Sequence, residues 1–454
     1  MADSARSLSF TVVGAGLSGP LMAVYLARAG HSVELYEKRP DPRRGAAAAG
    51  RSINLALSTR GIHALERVGA AGPVLERVTP MSGRLMHDVE GNVTYQPYGT
   101  ESGQAINSVS RLGLNIALLD LAESLPGVRI HFDRSCVGCD PDRATLEMHL
   151  HESGTTETVT AEHVIAADGA FSAVRAAMLK RDRFSYSQTY LEHGYKELTI
   201  PPGLDGKHRI RNDVLHIWPR GRFMMIALPN QDGSFTCTLF WPFEGPNGFS
   251  AVQESEEIRR VFRETFSDAV ELMPDLVEQY RTNPTSSLVT VRCWPWHHRD
   301  KVVLLGDAAH AVVPFYGQGM NASFEDCRIL AECLGRHGSG VEAAFEEYGR
   351  LRKPHCDALS DLALQNFVEM RDRVASRFFL VQKHLGQMLH RAFPKLFIPL
   401  YSMVTFSNIP YAEAVRRAEQ QRRVILAVLL GVVVLLFQAV LLLLVVYVSS
   451  RGTS

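Results

Sequence analysis

The stretch Phe10-Thr-Val-Val-Gly-Ala-Gly-Leu-Ser-Gly-Pro20 constrains this chain more than any other. Phe10, Val12 and Val13 read as a buried parallel strand. Gly14, Gly16 and Gly19 follow with the spacing G-x-G-x-x-G, and Leu21 to Ala29 has the composition of a helix, with Gly30 at its end. In a strand–turn–helix unit of this kind the first glycine permits the tight turn. The second lets the backbone approach a pyrophosphate, and the third lets helix and strand pack closely. The helix N-terminus then offers free N–H groups to the phosphates. Val33 to Glu37 reads as the next strand, and Glu37 at its end is placed to accept from an adenosine ribose hydroxyl. A Rossmann-type α/β domain with a dinucleotide site is expected.

The opposite end of the 454-residue chain carries a different constraint: Val424 to Val448 contains no charge and is interrupted only by Gly431 and Gln438. At ~1.5 Å per residue such a helix crosses a hydrocarbon core of ~30 Å with some tilt. Arg416, Arg417, Arg422 and Arg423 precede it, and positive charge on that flank keeps the large N-terminal part cytosolic. The N-terminal apolar segment is too short for a signal peptide and serves as the first Rossmann strand. A tail-anchored protein in contact with membrane lipid is expected. The 48 basic and 48 acidic residues cancel, so nucleic acid is not an obvious partner. Seven scattered cysteines fit a reducing compartment, and the solitary Cys136-x-x-Cys139 pair reads as structural, with no metal site expected.

Two further segments match the first motif in character. Glu162 to Arg175 contains a strand ending at Asp168-Gly169 and a helix opening near Ser172. Lys301 to His310 contains a buried strand ending at Gly306-Asp307, where a carboxylate meets a polyol well. Gly317 to Asn321 leads into a helix over Ala322 to Leu334, whose N-terminal amides suit negative charge on a reduced ring system. Ala56, within Arg51 to Ser58, is small enough for a flat ring to approach, or is simply packed. Between residues 184 and 300, alternation in Val214–Trp218, Phe223–Leu228 and Ser234–Trp241 indicates an antiparallel sheet, with Asp232-Gly233 as a hairpin turn. Phe235, Cys237 and Leu239 share one of its faces.

Gly83–Val89 and Val93–Tyr98 flank Glu90-Gly-Asn92 as a β-hairpin, Pro97 marking an edge strand. Counting from Gly91 places Arg84 across from Tyr98, as a carboxylate clamp or as a solvated surface pair. Asn366, Glu369, Met370 and Arg373 occupy one face of a helix expected from Asp357 to Arg373, serving either a ligand or a buried network.

The three motifs in this order, Gly14-Ala-Gly-Leu-Ser-Gly19 with Glu37, Asp168-Gly169 and Gly306-Asp307, resemble the single-component FAD aromatic hydroxylases, the class A flavoprotein monooxygenases. Arg51–Ser58, Leu215–Arg220, Met225–Asn230, Ser234–Phe240, Pro314–Asn321 and Phe397–Tyr401 resemble the branch of that family that hydroxylates kynurenine. The resemblance implies one FAD domain (residues 1–182 and 301–345), an antiparallel substrate sheet (183–300), a helical segment completing the pocket (346–423) and an anchor (424–448). It implies bound FAD, transient NADPH, and O2 activated as a flavin C4a-hydroperoxide that hydroxylates L-kynurenine at carbon 3 on the route of tryptophan breakdown. Arg84, Tyr98, Asn366 and Tyr401 would hold the substrate's amino-acid group, Phe235 and Phe315 would line the ring pocket, and Glu369 and Met370 lie beside them. Gly14, Gly16, Ser18, Gly19, Tyr36, Glu37, Lys38, Arg39, Ala56, Arg111, Cys136, Asp168, Asp307, Met320 and Asn321 would hold FAD, several through the backbone. No catalytic side chain is expected, because the flavin carries the chemistry; His310 would stand behind the site. For a eukaryotic owner the resemblance implies the outer mitochondrial membrane. A lipid-oxidising relative and a non-catalytic, membrane-tethered FAD module are the other readings.

Overall fold

In the computed structural model the strand Ser9–Val13 lies inside a six-stranded sheet. Its neighbours are Ser32–Tyr36 on one side and His163–Ala166 on the other. The structure describes residues 7–44, 54–98, 103–245, 247–368, 393 and 397–451. Val128–His131 and Val302–Leu304 extend the parallel sheet outward, and His297–His298 closes one edge antiparallel. The chain therefore leaves Ser9–Val13 to one side first and to the other side later. That reversal opens a crevice at the strand's C-terminal end, where open α/β sheets bind ligands. The strand interiors are almost fully buried, as Phe10, Val12, Val164, Ile165 and Leu304 show, because helices Ser18–Arg28 and Gly319–His337 pack over them.

The second large sheet has seven strands, in the order Ser286–Trp294, Ser185–Ile200, Phe235–Pro242, Met224–Pro229, Val214–Pro219, Gly83–His87, Val93–Pro97. The expected antiparallel sheet is mixed: the hairpin from the first third of the chain joins it, with Gly83–His87 parallel to Val214–Pro219. Pro97 lies on the edge strand, where its missing N–H costs no ladder bond. Arg84 pairs with Gln96, not Tyr98. The turn is closed by Asp88 N–H to Asn92 O at 3.0 Å and by Asn92 N–H to Asp88 Oδ1 at 2.7 Å, so the register is centred on Glu90. Tyr98 donates its N–H to Ser82 O, one diagonal step from Arg84 on the same face.

Strand parity divides this sheet cleanly. Phe235, Cys237, Leu239, Trp218, Met225 and Ala227 face helices Ser255–Thr265 and Leu276–Thr282 and form a closed core with them. Arg84, Leu215, Ile226, Leu228 and Phe240 take the other face, toward the first sheet. The helix expected from Asp357 begins at Val341 and runs to Val368 with Pro354 inside it; Glu369, Met370 and Arg373 lie outside the described residues. The helix over Tyr411–Arg423 and the apolar segment after it form one continuous helix, Tyr411–Arg451. Among the described residues it is long and apolar enough to cross a membrane.

Candidate active site

The three glycines of the first motif meet three different surroundings. A Cβ on Gly14, whose φ is +100°, runs into the Ala167 carbonyl, and one on Gly19 runs into the Gly14 carbonyl and Leu35. These two close the strand–turn–helix unit on itself. A Cβ on Gly16 meets nothing within 4 Å, so the space beside that residue belongs to no part of the chain. The helix that follows has no side-chain cap at its start, leaving first-turn N–H groups for an anion.

Glu37 is buried and shapes this loop directly. Its Oε2 accepts from Ala15 N–H at 2.8 Å, and its Oε1 accepts from Arg39 Nε at 2.7 Å and Arg39 N–H at 3.1 Å. Asn115, on helix Arg111–Glu123, holds the same loop by donating to Ala15 O and Gly16 O. Nothing in its local sequence marks it. Arg111 opens that helix, exposed, and its charge acts on Asp307, which is exposed in spite of the strand that precedes it. Asp168 Oδ2 accepts from Ala173 N–H at 2.8 Å, and its Oδ1 is buried without a partner among the described residues. Burial raises this carboxyl above the usual range. The open space at Gly16, the orphaned Asp168 oxygen and the exposed Arg111 and Asp307 fit a large polar anion with a polyol, as FAD is.

Two buried ties join the motifs. Arg175 donates to Ala308 O at 2.8 Å and to Ala170 O at 2.5 Å, fastening the Asp-Gly turn to the Gly-Asp turn. Asn321 accepts from Ser58 N–H at 2.9 Å and donates to Ala56 O at 2.8 Å and Gly317 O at 3.1 Å. Its side chain is thus committed to the protein, and only its backbone is left for a cofactor. Tyr36 uses its carbonyl on Gly14 N–H and stacks on His131 at 4.6 Å. Ser18 begins the dinucleotide helix beside Gly306, Lys38 is exposed, and Met320 packs against the core of the first sheet.

Below this crevice Arg84 rises from its strand against two tyrosines. Its guanidinium carbon lies 5.2 Å from the Tyr98 ring centroid and 4.7 Å from that of Tyr401, and the two rings are stacked 5.7 Å apart. In spite of its burial, the two phenols raise the guanidinium above its ordinary pKa, and Nε is buried without a partner among the described residues. The adjoining wall is aromatic: Phe315 lies 5.0 Å from Phe240 and 4.4 Å from Phe367. Asn366 donates to Phe315 O at 2.6 Å, bringing helix Val341–Val368 onto the loop that precedes the flavin-side helix.

Residues 8–363 match the FAD binding domain family. The kynurenine 3-monooxygenase of Myxococcus xanthus is 48% identical over 90% of this chain and 88% of its own length. That of Dictyostelium discoideum is 45% identical over 89% of each. The chain belongs to the kynurenine 3-monooxygenase family. Like its family it is an FAD-dependent monooxygenase. Among solved structures, tetrameric 2-methyl-3-hydroxypyridine-5-carboxylic acid oxygenase has a TM-score of 0.66 at 22% identity, covering 82% of this chain and 94% of that one, a likeness of fold.

Against the kynurenine 3-monooxygenase pattern, one expected pocket residue is displaced. Phe235 is fully buried on the far face of the substrate sheet, in edge contact with His208 and His216. Its parity with Cys237 and Leu239 holds, but that face packs on helices; Phe240, of the opposite parity, takes the place beside Phe315. Cys136 Sγ donates to Gly138 O, and burial pushes the Cys136 and Cys139 thiols up to about 12. His310 lies behind the Gly-Asp turn, stacked 5.1 Å from Trp296. With Asp326 and Cys356 it forms a buried cluster of ligand-type atoms, into which Arg352 donates at 2.6 Å. That guanidinium brings a positive charge to the cluster.

Proposed function

We propose that this protein hydroxylates L-kynurenine at ring carbon 3, using NADPH and O2, from a position anchored in a membrane with its catalytic part on the cytosolic side. The observation that carries the reading is Arg84, held beside the stacked Tyr98 and Tyr401 rings near the Phe240–Phe315 wall. A guanidinium fork grips a carboxylate bidentately, and an apolar wall beside it suits the aromatic ring of an amino acid better than a lipid tail. Arg84 and the two phenols hold the amino-acid end. Phe315 and Phe240 orient the ring, Asn366 fixes Phe315 through its carbonyl, and Glu369 and Met370, outside the described residues, are assigned to the pocket by the resemblance alone. Closure of this pocket excludes water.

The FAD residues are Gly14, Gly16, Ser18, Gly19, Tyr36, Glu37, Lys38, Arg39, Ala56, Arg111, Cys136, Asp168, Asp307, Met320 and Asn321, with backbone groups acting at Ala56, Met320 and Asn321. Bound there, FAD would supply the oxygen activation, with NADPH as the source of reducing equivalents. The substrate's aromatic amine directs attack to its ortho carbon, so the protein's task is to present that carbon and keep it dry. The apolar part of helix Tyr411–Arg451 and the arginines before it support a tail anchor, on the outer mitochondrial membrane in a eukaryote.

The test is NADPH oxidation by the FAD-loaded full chain with and without L-kynurenine, with mass identification of the product. Stimulated oxidation with gain of one oxygen atom is expected. No response from flavin-loaded protein overturns the reading.

A further inference from the structure

The face of strand Gly83–His87 opposite Arg84 carries a buried polar set that the hydroxylation does not use. His87 Nδ1 lies 2.5 Å from Asp268 Oδ2, and His87 Nε2 lies 2.9 Å from His216 Nδ1. His216 Nε2 lies 2.7 Å from the Arg211 carbonyl, and Trp218 Nε1 donates to Asp268 Oδ1 at 2.9 Å, with the Trp218 ring stacked 4.2 Å from His87.

The acceptors decide where the protons sit. A carbonyl only accepts, so His216 Nε2 carries its proton. Burial lowers the His216 ring to about 4, so that ring is neutral and its Nδ1 is a lone pair. His87 Nε2 must therefore donate. On the other side, burial works against the Asp268 charge, but bonds from His87 and Trp218 outweigh it and hold the carboxyl below the usual range. An ionised carboxylate only accepts, so His87 Nδ1 donates as well.

The same residue ends the substrate strand. The His87 carbonyl accepts from Arg220 Nη1 at 2.9 Å, the Asp88 carbonyl from Arg220 Nη2 at 2.9 Å, and Arg220 Nε also bonds the Thr265 carbonyl. On its outer side the strand has only the edge strand Val93–Pro97. The charged groups facing His87 are Asp268 and Arg220. Asp88 and Glu90 act on Arg220 from the turn, and Arg211 is paired with Asp213.

We propose that His87, protonated on both ring nitrogens and bridging Asp268 to His216, is the positioning residue that sets the Arg84 strand against the substrate carboxylate. This rests on the kynurenine reading above. Loss of either bridge loosens the strand that carries the clamp while the flavin crevice is untouched. The KM for L-kynurenine therefore rises when one bridge is removed, with kcat at saturation unchanged.

Three measurements on the FAD-loaded full chain test this. Nitrogen NMR of histidine-labelled protein, with His87 assigned by its loss in His87→Gln, is expected to show both ring nitrogens protonated at neutral pH. Asp268→Asn is expected to raise KM about tenfold at neutral pH, the scale on which small misplacements act, with unchanged kcat and full flavin content. Trp218→Phe, which removes one bond to Asp268 and shrinks the ring stacked on His87 while leaving both His87 bridges in place, is expected to give a smaller rise. A singly protonated His87, or an Asp268→Asn KM equal to that of the parent, overturns the proposal. The NMR result stands whatever the substrate, whereas an absence of kynurenine turnover in the parent protein counts against the function and not against the bridge.

Discussion

The side-chain amide of Asn54 donates to Asn230 Oδ1 at 2.6 Å across 176 residues of chain. It also reaches Ser108 Oγ and Pro229 O, so a three-stranded sheet of Asn54–Leu57, Ile106–Ser110 and Val78–Met81 is bolted to a strand end of the substrate sheet. Asn230 in turn donates to Ser234 and Thr236 across its own hairpin. Asn54→Ala leaves several buried acceptors short of a donor, a cost of about 1–3 kcal/mol. The thermal midpoint of the FAD-loaded protein is expected to fall by several degrees. An unchanged midpoint would mean that water or Ser108 replaces the amide fully.

Gly14 and Gly16 separate folding from cofactor binding. A side chain at Gly14 meets the Ala167 carbonyl and must adopt a left-handed φ, so Gly14→Ala is expected to destabilise the protein with or without FAD. A side chain at Gly16 enters open space. Gly16→Val should leave the stability of the flavin-free protein intact while abolishing flavin retention on gel filtration, read from absorbance. Flavin retained by Gly16→Val would remove the pyrophosphate from this loop.

Arg84→Ala removes the only cation over the Tyr98 and Tyr401 rings among the described residues. Losing one partner of a desolvated charge pair costs about 2–5 kcal/mol, so KM for L-kynurenine is expected to rise by about two orders of magnitude with flavin content unchanged. Arg84→Lys keeps the charge without the fork and should recover only part of the loss. Steady-state kinetics at fixed NADPH decide this, and an unchanged KM in Arg84→Ala would sink the clamp.

What the sequence makes legible here is what the backbone demands locally. Each of the three cofactor segments is a strand followed by a turn only certain residues can make, and Gly14, Gly169 and Gly306 all take positive φ. Strand parity is equally legible, because alternation is a property of neighbours along the chain. Which face meets which layer is not, since it depends on helices far away in sequence; hence Phe235 falls in the wrong layer while its companions are grouped correctly. The Arg84 hairpin is legible as a hairpin, but its register turns on bonds inside Asp88–Asn92 that glycine counting misses. The long-range ties are the least visible. Asn115, Arg175 and Arg352 sit on helices where a buried polar residue and a solvated one look alike until their partners, such as Ala308 O or Asp326, are brought to them.

Phe240 and Phe235 give that layering a direct test. Phe235→Leu opens space in the closed core on the helix side and is expected to cost about 1–3 kcal/mol of stability with KM unaffected. Phe240→Leu withdraws the ring beside Phe315 and should raise KM for L-kynurenine severalfold at a smaller cost in stability. Thermal melts and kinetics on the two variants together discriminate the faces, and the reverse pattern would return Phe235 to the pocket wall.

His310 and Asp326 couple the Gly-Asp turn to the helix behind it, with His310 Nε2 2.5 Å from Asp326 Oδ2 and Asp326 Oδ1 accepting from Arg352 Nε at 2.6 Å. Burial works against charge on His310, but Cys356 and Asp326 outweigh it and raise its pKa well above the ordinary value. Burial likewise opposes the Asp326 charge, and His310 and Arg352 still hold that carboxyl below its ordinary value. A folded-state value raised above the unfolded one stabilises fully below the unfolded pKa of about 6.5, and the stabilisation fades as pH climbs through the folded value. A depressed carboxyl does the opposite: its share is present above about 3.9 and is lost as pH falls through the folded value. His310→Gln removes the first contribution and keeps Arg352 on Asp326. The gap in thermal midpoint between parent and variant is therefore expected to be widest near pH 5 to 6 and to narrow steadily above about 6.5. A gap that stays constant to high pH would mean that His310 is buried neutral and that Arg352 alone balances Asp326.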